Sequence, residues 1–106
     1  MAHKHARTAS LIKNLAAEFF GREAFKDPLI TVTDASVSDD LRTVKIFISV
    51  FPESGNEKAL GFAERKRGLL ADYFKSHSKL GRIPFIQVEI DAGEENRRRI
   101  EELLTQ

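Results

Sequence analysis

Six cationic side chains fall between residues 65 and 82: Arg65, Lys66, Arg67, Lys75, Lys79 and Arg82. Only Glu64 and Asp72 lie within that stretch and its edge to pair with them. The chemistry such a set supports is phosphate neutralisation. Arg presents a planar fork to phosphate oxygens, and Lys presents a compact charge. Contacts of this kind give affinity and salt sensitivity but little base specificity. The overall charge of +1 hides the pattern, because residues 1–26 carry +3, 27–63 carry −3, 64–82 carry +4 and 83–106 carry −3. Segregation of this sort suits a polyanion-binding face, or else solvated helices laced with ion pairs.

Other positions read less sharply. Lys4, Arg7 and Lys13 either extend the basic surface or solubilise a helix. Lys45 and Phe47 share one face of a strand, where a cation beside an aromatic supports base stacking, although Phe47 serves equally as packing. Arg97, Arg98 and Arg99 sit between acidic pairs, and Glu94/Arg98, Glu95/Arg99 and Arg98/Glu102 fall at i, i+4, the spacing of helix ion pairs. His3 and His5 lack the third ligand a metal site needs, and His77, in the basic helix region, is a single weak indicator. Asp39 and Asp40 read as turn formers. There is no Gly-rich phosphate loop, no His-Glu-x-x-His and no nucleophile elbow. Cysteine is absent, which excludes disulfides, thiol catalysis and Cys-ligated zinc. No catalytic residue, metal or cofactor is therefore expected.

The elements that must carry these residues follow from periodicity. The chain of 106 residues suits one domain, with residues 1–6 as a mobile arm. Leu11, Leu15 and Phe19, with Ile12, Ala16 and Phe20 beside them, predict an amphipathic helix over 7–25. Residues 29–37 predict a strand, and residues 42–51 a second, with Val44, Ile46, Ile48 and Val50 on one face. The short polar turn at 38–40 joins them as an antiparallel hairpin. Helix resumes near Glu57 and runs to about Leu80, with a kink expected at Gly68. Gly81 is a helix stop. Residues 85–90 predict a third strand entered through Pro84. A short terminal helix covers 94–104, and only Ile100, Leu103 and Leu104 are available to anchor it. The economical architecture is α+β: a three-stranded sheet with helices packed on one face. No stretch is long and apolar enough to span a membrane, and no secretory leader is read, so a cytoplasmic protein is expected.

This ordered set resembles the ribosome-binding factor A family. The likeness is carried by the opening helix, by Lys26-Asp27-Pro28-Leu29-Ile30-Thr31-Val32-Thr33-Asp34-Ala35-Ser36-Val37-Ser38, and by the strand Thr43-Val44-Lys45-Ile46-Phe47-Ile48-Ser49-Val50. Gly68, Leu69 and Leu70, then Arg82-Ile83-Pro84, and finally Arg99-Ile100 with Leu103-Leu104, fall at the family's spacing. The resemblance implies a type II KH-like, RNA-binding domain across residues 1–106. It implies a helix–kink–helix at Lys66, Arg67 and Gly68 in place of the usual Gly-x-x-Gly loop, although Lys66 stands where the family has Ala. It also implies a monomeric, non-enzymatic assembly factor. Such a factor binds the free small ribosomal subunit and its rRNA, with no membrane and no small-molecule substrate. It supports late maturation and rRNA processing, above all in the cold. The rival reading is a small α+β protein–protein adaptor with incidental RNA affinity, whose interface is the exposed strand and Phe47.

Overall fold

A computed structural model describes the backbone of residues 2–23, 27–81 and 83–105, and side chains from Ala6 onward within those ranges. The elements run α1 (Ala2–Glu23), β1 (Leu29–Val37), β2 (Thr43–Phe51), a 3₁₀ turn (Glu53–Gly55), α2 (Asn56–Arg65), α3 (Arg67–His77), β3 (Phe85–Ile90) and α4 (Ala92–Leu104). The α+β class, the three strands and their order are those the periodicity predicts.

The helix expected from Arg7 starts at Ala2, so residues 2–6, expected as an arm, are helical. Ala2 and Ala6 are strong helix formers, and nothing in His3-Lys4-His5 breaks the helix. Ile12, Leu15, Ala16, Phe19 and Phe20 are its buried stripe.

The sheet order is β1-β2-β3. β1 pairs with β2 antiparallel, from Leu29 opposite Phe51 to Val37 opposite Val44, with a register shift between Val32 and Asp34. β3 pairs with β2 parallel, from Thr43 opposite Phe85 to Ile48 opposite Ile90. Strand β2 is thus central, and its four alternate residues Val44, Ile46, Ile48 and Val50 are buried almost completely. They meet Phe62 and Ala63 of α2 and Leu70, Ala71 and Phe74 of α3 in one apolar cluster with the α1 stripe. Burying a side chain of that size contributes roughly 1.5–3 kcal/mol. The opposite sheet face carries exposed Lys45 and half-buried Phe47.

The turn after β1 is held by side chains. Ser38 Oγ donates to Asp40 (2.7 Å), and Asp40 also accepts from the Arg42 N–H (3.1 Å). These bonds hold the Asp40 carboxyl below its ordinary range, the Ser38 bond most of all. Asp40 is therefore a turn former.

α4 differs most from expectation. Its apolar residues Ile100, Leu103 and Leu104 do not anchor it; all three are exposed. Polar contacts pin it instead. Asp91 caps its start by accepting from the Glu94 N–H (3.0 Å), while Thr33 Oγ1 donates to the same carboxylate (2.6 Å). Asn56 donates to Glu95 (3.1 Å), Arg98 donates to the Val50 carbonyl (3.2 Å), and Arg99 lies 3.4 Å from Glu53. The i, i+4 pairs expected for the arginine triplet give way to these longer-range partners and to an Arg97–Glu94 pair. A side chain that reaches a carbonyl or carboxylate on a packed neighbour gains more than one paired in open solvent.

Candidate nucleic-acid interface

The helix formed by residues 56–77 is broken at a single residue. Lys66 has φ −96° and ψ 4°, outside helical geometry, so α2 ends on one side of it and α3 starts on the other. The kink therefore sits at Lys66, and Gly68 is the second residue of α3. The Lys66 N–H donates to the Phe62 carbonyl (3.0 Å), and the Lys66 carbonyl accepts from the Leu70 N–H (2.9 Å). The N–H groups of Arg67, Gly68 and Leu69 precede that first bond of α3, the usual orphan donors of a helix start. No side chain caps them, and the first turn holds no acidic residue. A Cβ on Gly68 would meet nothing within 4 Å, so this start is open to solvent.

Charge surrounds the opening. Arg65 and Arg67 are exposed, and Lys66 is half-buried. The Lys66 stem runs back along the helix, and its ammonium lies 5.8 Å from the centre of the Phe62 ring. A long side chain thus occupies the helix crossing by keeping its charged tip outside it. Arg67 lies 3.3 Å from Glu64, both largely exposed. A pair of that kind contributes little and is easily exchanged for a phosphate.

Arg67 also joins the junction to the sheet. A hollow of about 250 Å³ lies between α3 and the entry to β3, lined by Arg67, Gly68, Ala71, Ile83, Pro84 and Ile86. A second, of about 310 Å³, adjoins it along Phe85 and Gln87, again with Arg67 on its wall. β3 is an edge strand, so this groove runs beside backbone that β2 does not pair. Helix-start N–H groups, flanking guanidinium and ammonium groups and a strand edge thus border one trough.

The predicted basic positions fall into separate places. Arg65, Lys66 and Arg67 are together at the junction. Lys75 is exposed on α3 two turns beyond Arg67, and Lys79 is exposed just past the end of that helix. Arg82 lies outside the described residues. Arg7 and Lys13 are on α1, whose main neighbours are β1 and α3. Lys4 is on α1 with its side chain outside the described set. Lys45 stands on the outer sheet face, opposite Ser36 and Gln87. Sequence reasoning missed the open start of α3 and the edge of β3. Pro84 was the available signal for an unpaired strand entry.

On the far flank of α3, Tyr73 packs edge-on to Phe19 of α1, with centroids 5.7 Å apart, and donates to Glu18 (2.9 Å). Burial, and then that bond, raise the Tyr73 hydroxyl above its ordinary value. His77 stacks on the same ring at 3.9 Å. This flank fixes α3 against α1.

Comparison with known proteins places the whole arrangement. A family model described as Ribosome-binding factor A matches residues 4–104. The chain is 34% identical over 107 residues to the ribosome-binding factor A of Thermobifida fusca, covering 97% of this chain and 70% of that one. It is 33% identical over 107 residues to that of Carboxydothermus hydrogenoformans, covering 97% and 85%. The crystal structure of ribosome-binding factor A from Thermus thermophilus superposes with a TM-score of 0.68 at 24% identity, over 79% of this chain and 92% of that one. Its likeness is one of fold, the KH-like arrangement of helices on a three-stranded sheet. The chain belongs to the ribosome-binding factor A family.

Proposed function

We propose that this chain is a ribosome biogenesis factor that binds the free small ribosomal subunit through its rRNA. One observation carries the reading: the uncapped start of α3, bare at Gly68, opens between Arg65, Lys66 and Arg67 onto the groove along β3. A phosphate seated there accepts from backbone N–H groups and is neutralised by the flanking cations. Lys75, Lys79 and Arg82 continue the contact along the backbone of the RNA, while Arg7, Lys13, Lys4 and Lys45 add longer-range attraction. The site binds and does no chemistry of its own. By preferring one state of the immature particle, the bound protein biases late maturation and rRNA processing, and the bias matters most where RNA rearranges slowly, in the cold. It acts as a cytoplasmic monomer. The adaptor reading loses support because Phe47 is half-buried rather than displayed.

The test is a salt titration of binding to free small subunits. Affinity is expected to fall log-linearly with salt. Replacing Arg65, Lys66 and Arg67 together by Ala should make the slope shallower by roughly 2–3, with the thermal midpoint little changed. A slope that the triple variant leaves untouched would falsify the phosphate assignment.

A further inference from the structure

α3 turns one stripe toward α1: Leu69, Asp72, Tyr73, Ser76 and His77, spaced as one helix face. Phe19 and Arg22 of α1 stand across from it, and the hollow between is about 410 Å³, the size of a small-molecule site. It shares no lining residue with the hollows beside β3. The core has not claimed this stripe, for Leu69 is 52% exposed, and Asp72, Ser76 and His77 are exposed too. Aromatic rings form its centre. His77 stacks on Tyr73 with the two planes 19° from parallel, and the Phe19 contact and the Glu18 bond hold the Tyr73 ring in place. Among the described residues, no second ring covers the other face of His77. The Arg22 guanidinium lies 5.8 Å from the centre of the Tyr73 ring. His77 Nδ1 is 3.0 Å from both the Tyr73 carbonyl and Ser76 Oγ. A carbonyl only accepts, so Nδ1 carries the proton and the distal Nε2 of the neutral ring is an acceptor. Asp72 and Glu23 add carboxylates to the wall.

We propose that this α1–α3 hollow takes one unpaired nucleobase of the RNA whose phosphates the α2–α3 junction holds, stacked against the Tyr73–His77 pair. The inference rests on the RNA-binding reading above. The chemistry selects the occupant. Single-stranded bases stack on aromatic rings and on guanidinium planes, and Nε2 and the carboxylates accept from the N–H groups of a base edge. A phosphate is a poor occupant, because Asp72 and Glu23 outnumber Arg22 here. An aliphatic side chain of a protein partner would leave those polar groups without partners. The rings are already locked, so a base pays little to order them. Continuity with the junction favours a base of the same strand. At 100° per residue, the ridge of α3 between the two sets of hollows carries Gly68, Lys75 and Asp72, all exposed. A backbone crossing that ridge passes bare Gly68 and the Lys75 ammonium. The crossing covers roughly 15 Å of the girth of a helix about 10–12 Å across, a span of a few nucleotides.

The experiment measures binding of the full chain to a short single-stranded RNA at about pH 8, above the ordinary histidine range, so that His77 acts through its ring and not through charge. H77A should weaken binding roughly tenfold and leave the salt slope unchanged, since a neutral ring releases no counterion. H77F keeps a flat ring and should bind within about twofold of wild type. An abasic nucleotide moved along the strand should cost the wild-type chain roughly tenfold at one position. That cost should vanish in H77A, because the two changes remove the same contact. A blunt RNA duplex, which offers no unpaired base, should not distinguish H77A from wild type. The chain has one tyrosine, so ring-labelled tyrosine gives a single set of NMR signals, that of Tyr73. Those signals should move when the strand is added and stay in place with inorganic polyphosphate. Unchanged affinity in H77A, an H77F as weak as H77A, an equal loss on the duplex, or an equal movement with polyphosphate overturns the inference. A loss in H77A on intact small subunits with none on the single strand also overturns it, in favour of a protein contact. If the Arg65, Lys66 and Arg67 triple variant keeps the wild-type salt slope while the H77A effect stands, only the phosphate reading falls. A wild-type chain that binds no RNA sinks both.

Discussion

Gly55 is constrained by space. A Cβ there would lie 2.5 Å from Cβ and 2.7 Å from Cγ of Pro28, which is itself buried. Neither atom belongs to a flexible chain end, so Gly55→Ala must push the 3₁₀ turn away from the β1 entry. A loss of about 1–3 kcal/mol in urea unfolding is expected. Asp91 is held by chemistry. The Thr33 hydroxyl bond, then the Glu94 N–H, lower its pKa from an ordinary 3.8 against the cost of burial. A depressed carboxylate stabilises the fold fully above its unfolded pKa, and that contribution is lost as pH falls through the lower folded value. Asp91→Ala should cost about 1–2 kcal/mol at neutral pH through the lost cap. It should also flatten the fall in stability below about pH 4. Equal acid sensitivity in both proteins would show that the carboxylate carries none of it. Neither role was visible in the linear chain, because Pro28 and Thr33 reach their partners across 27 and 58 positions.

The strands were the most legible elements, and β2 above all. Its strict alternation put Val44, Ile46, Ile48 and Val50 on one face, and that face is the centre of the core. The hairpin followed from the polar turn. The helix junction was less legible. Gly68 marked the break by propensity, whereas Lys66 carries the non-helical dihedrals, since the core contacts of Phe62 and Leu70 decide where the helix must turn. Lys66→Ala tests what that lysine does there. It removes one cation and its contact with the Phe62 ring, so stability should move by less than about 1 kcal/mol. The salt slope of particle binding should fall by roughly 1. A large drop in the melting midpoint would instead make Lys66 a packing residue. α4 was misjudged because an apolar triplet in a terminal helix reads as its anchor. Its true anchors are caps and carbonyls on other elements, which leave no periodic trace.

Across the whole chain, charge segregation marked a cationic block in the sequence, but not where its members stand in the fold. Consecutive residues at a kink stay together whatever the fold, so Arg65, Lys66 and Arg67 were safe to group. Lys45 and Arg7 could be placed only once the sheet had a front and a back. The parallel pairing of β2 with β3 has a further effect on the order of events in synthesis. Thirty-three residues separate the two strands, so the hairpin and first helix can organise while β3 is still unmade. The trough beside β3 forms only once β3 has joined the α2–α3 junction. On the proposed function, a nascent copy that lacks β3 holds the cationic wall of the trough without its other wall.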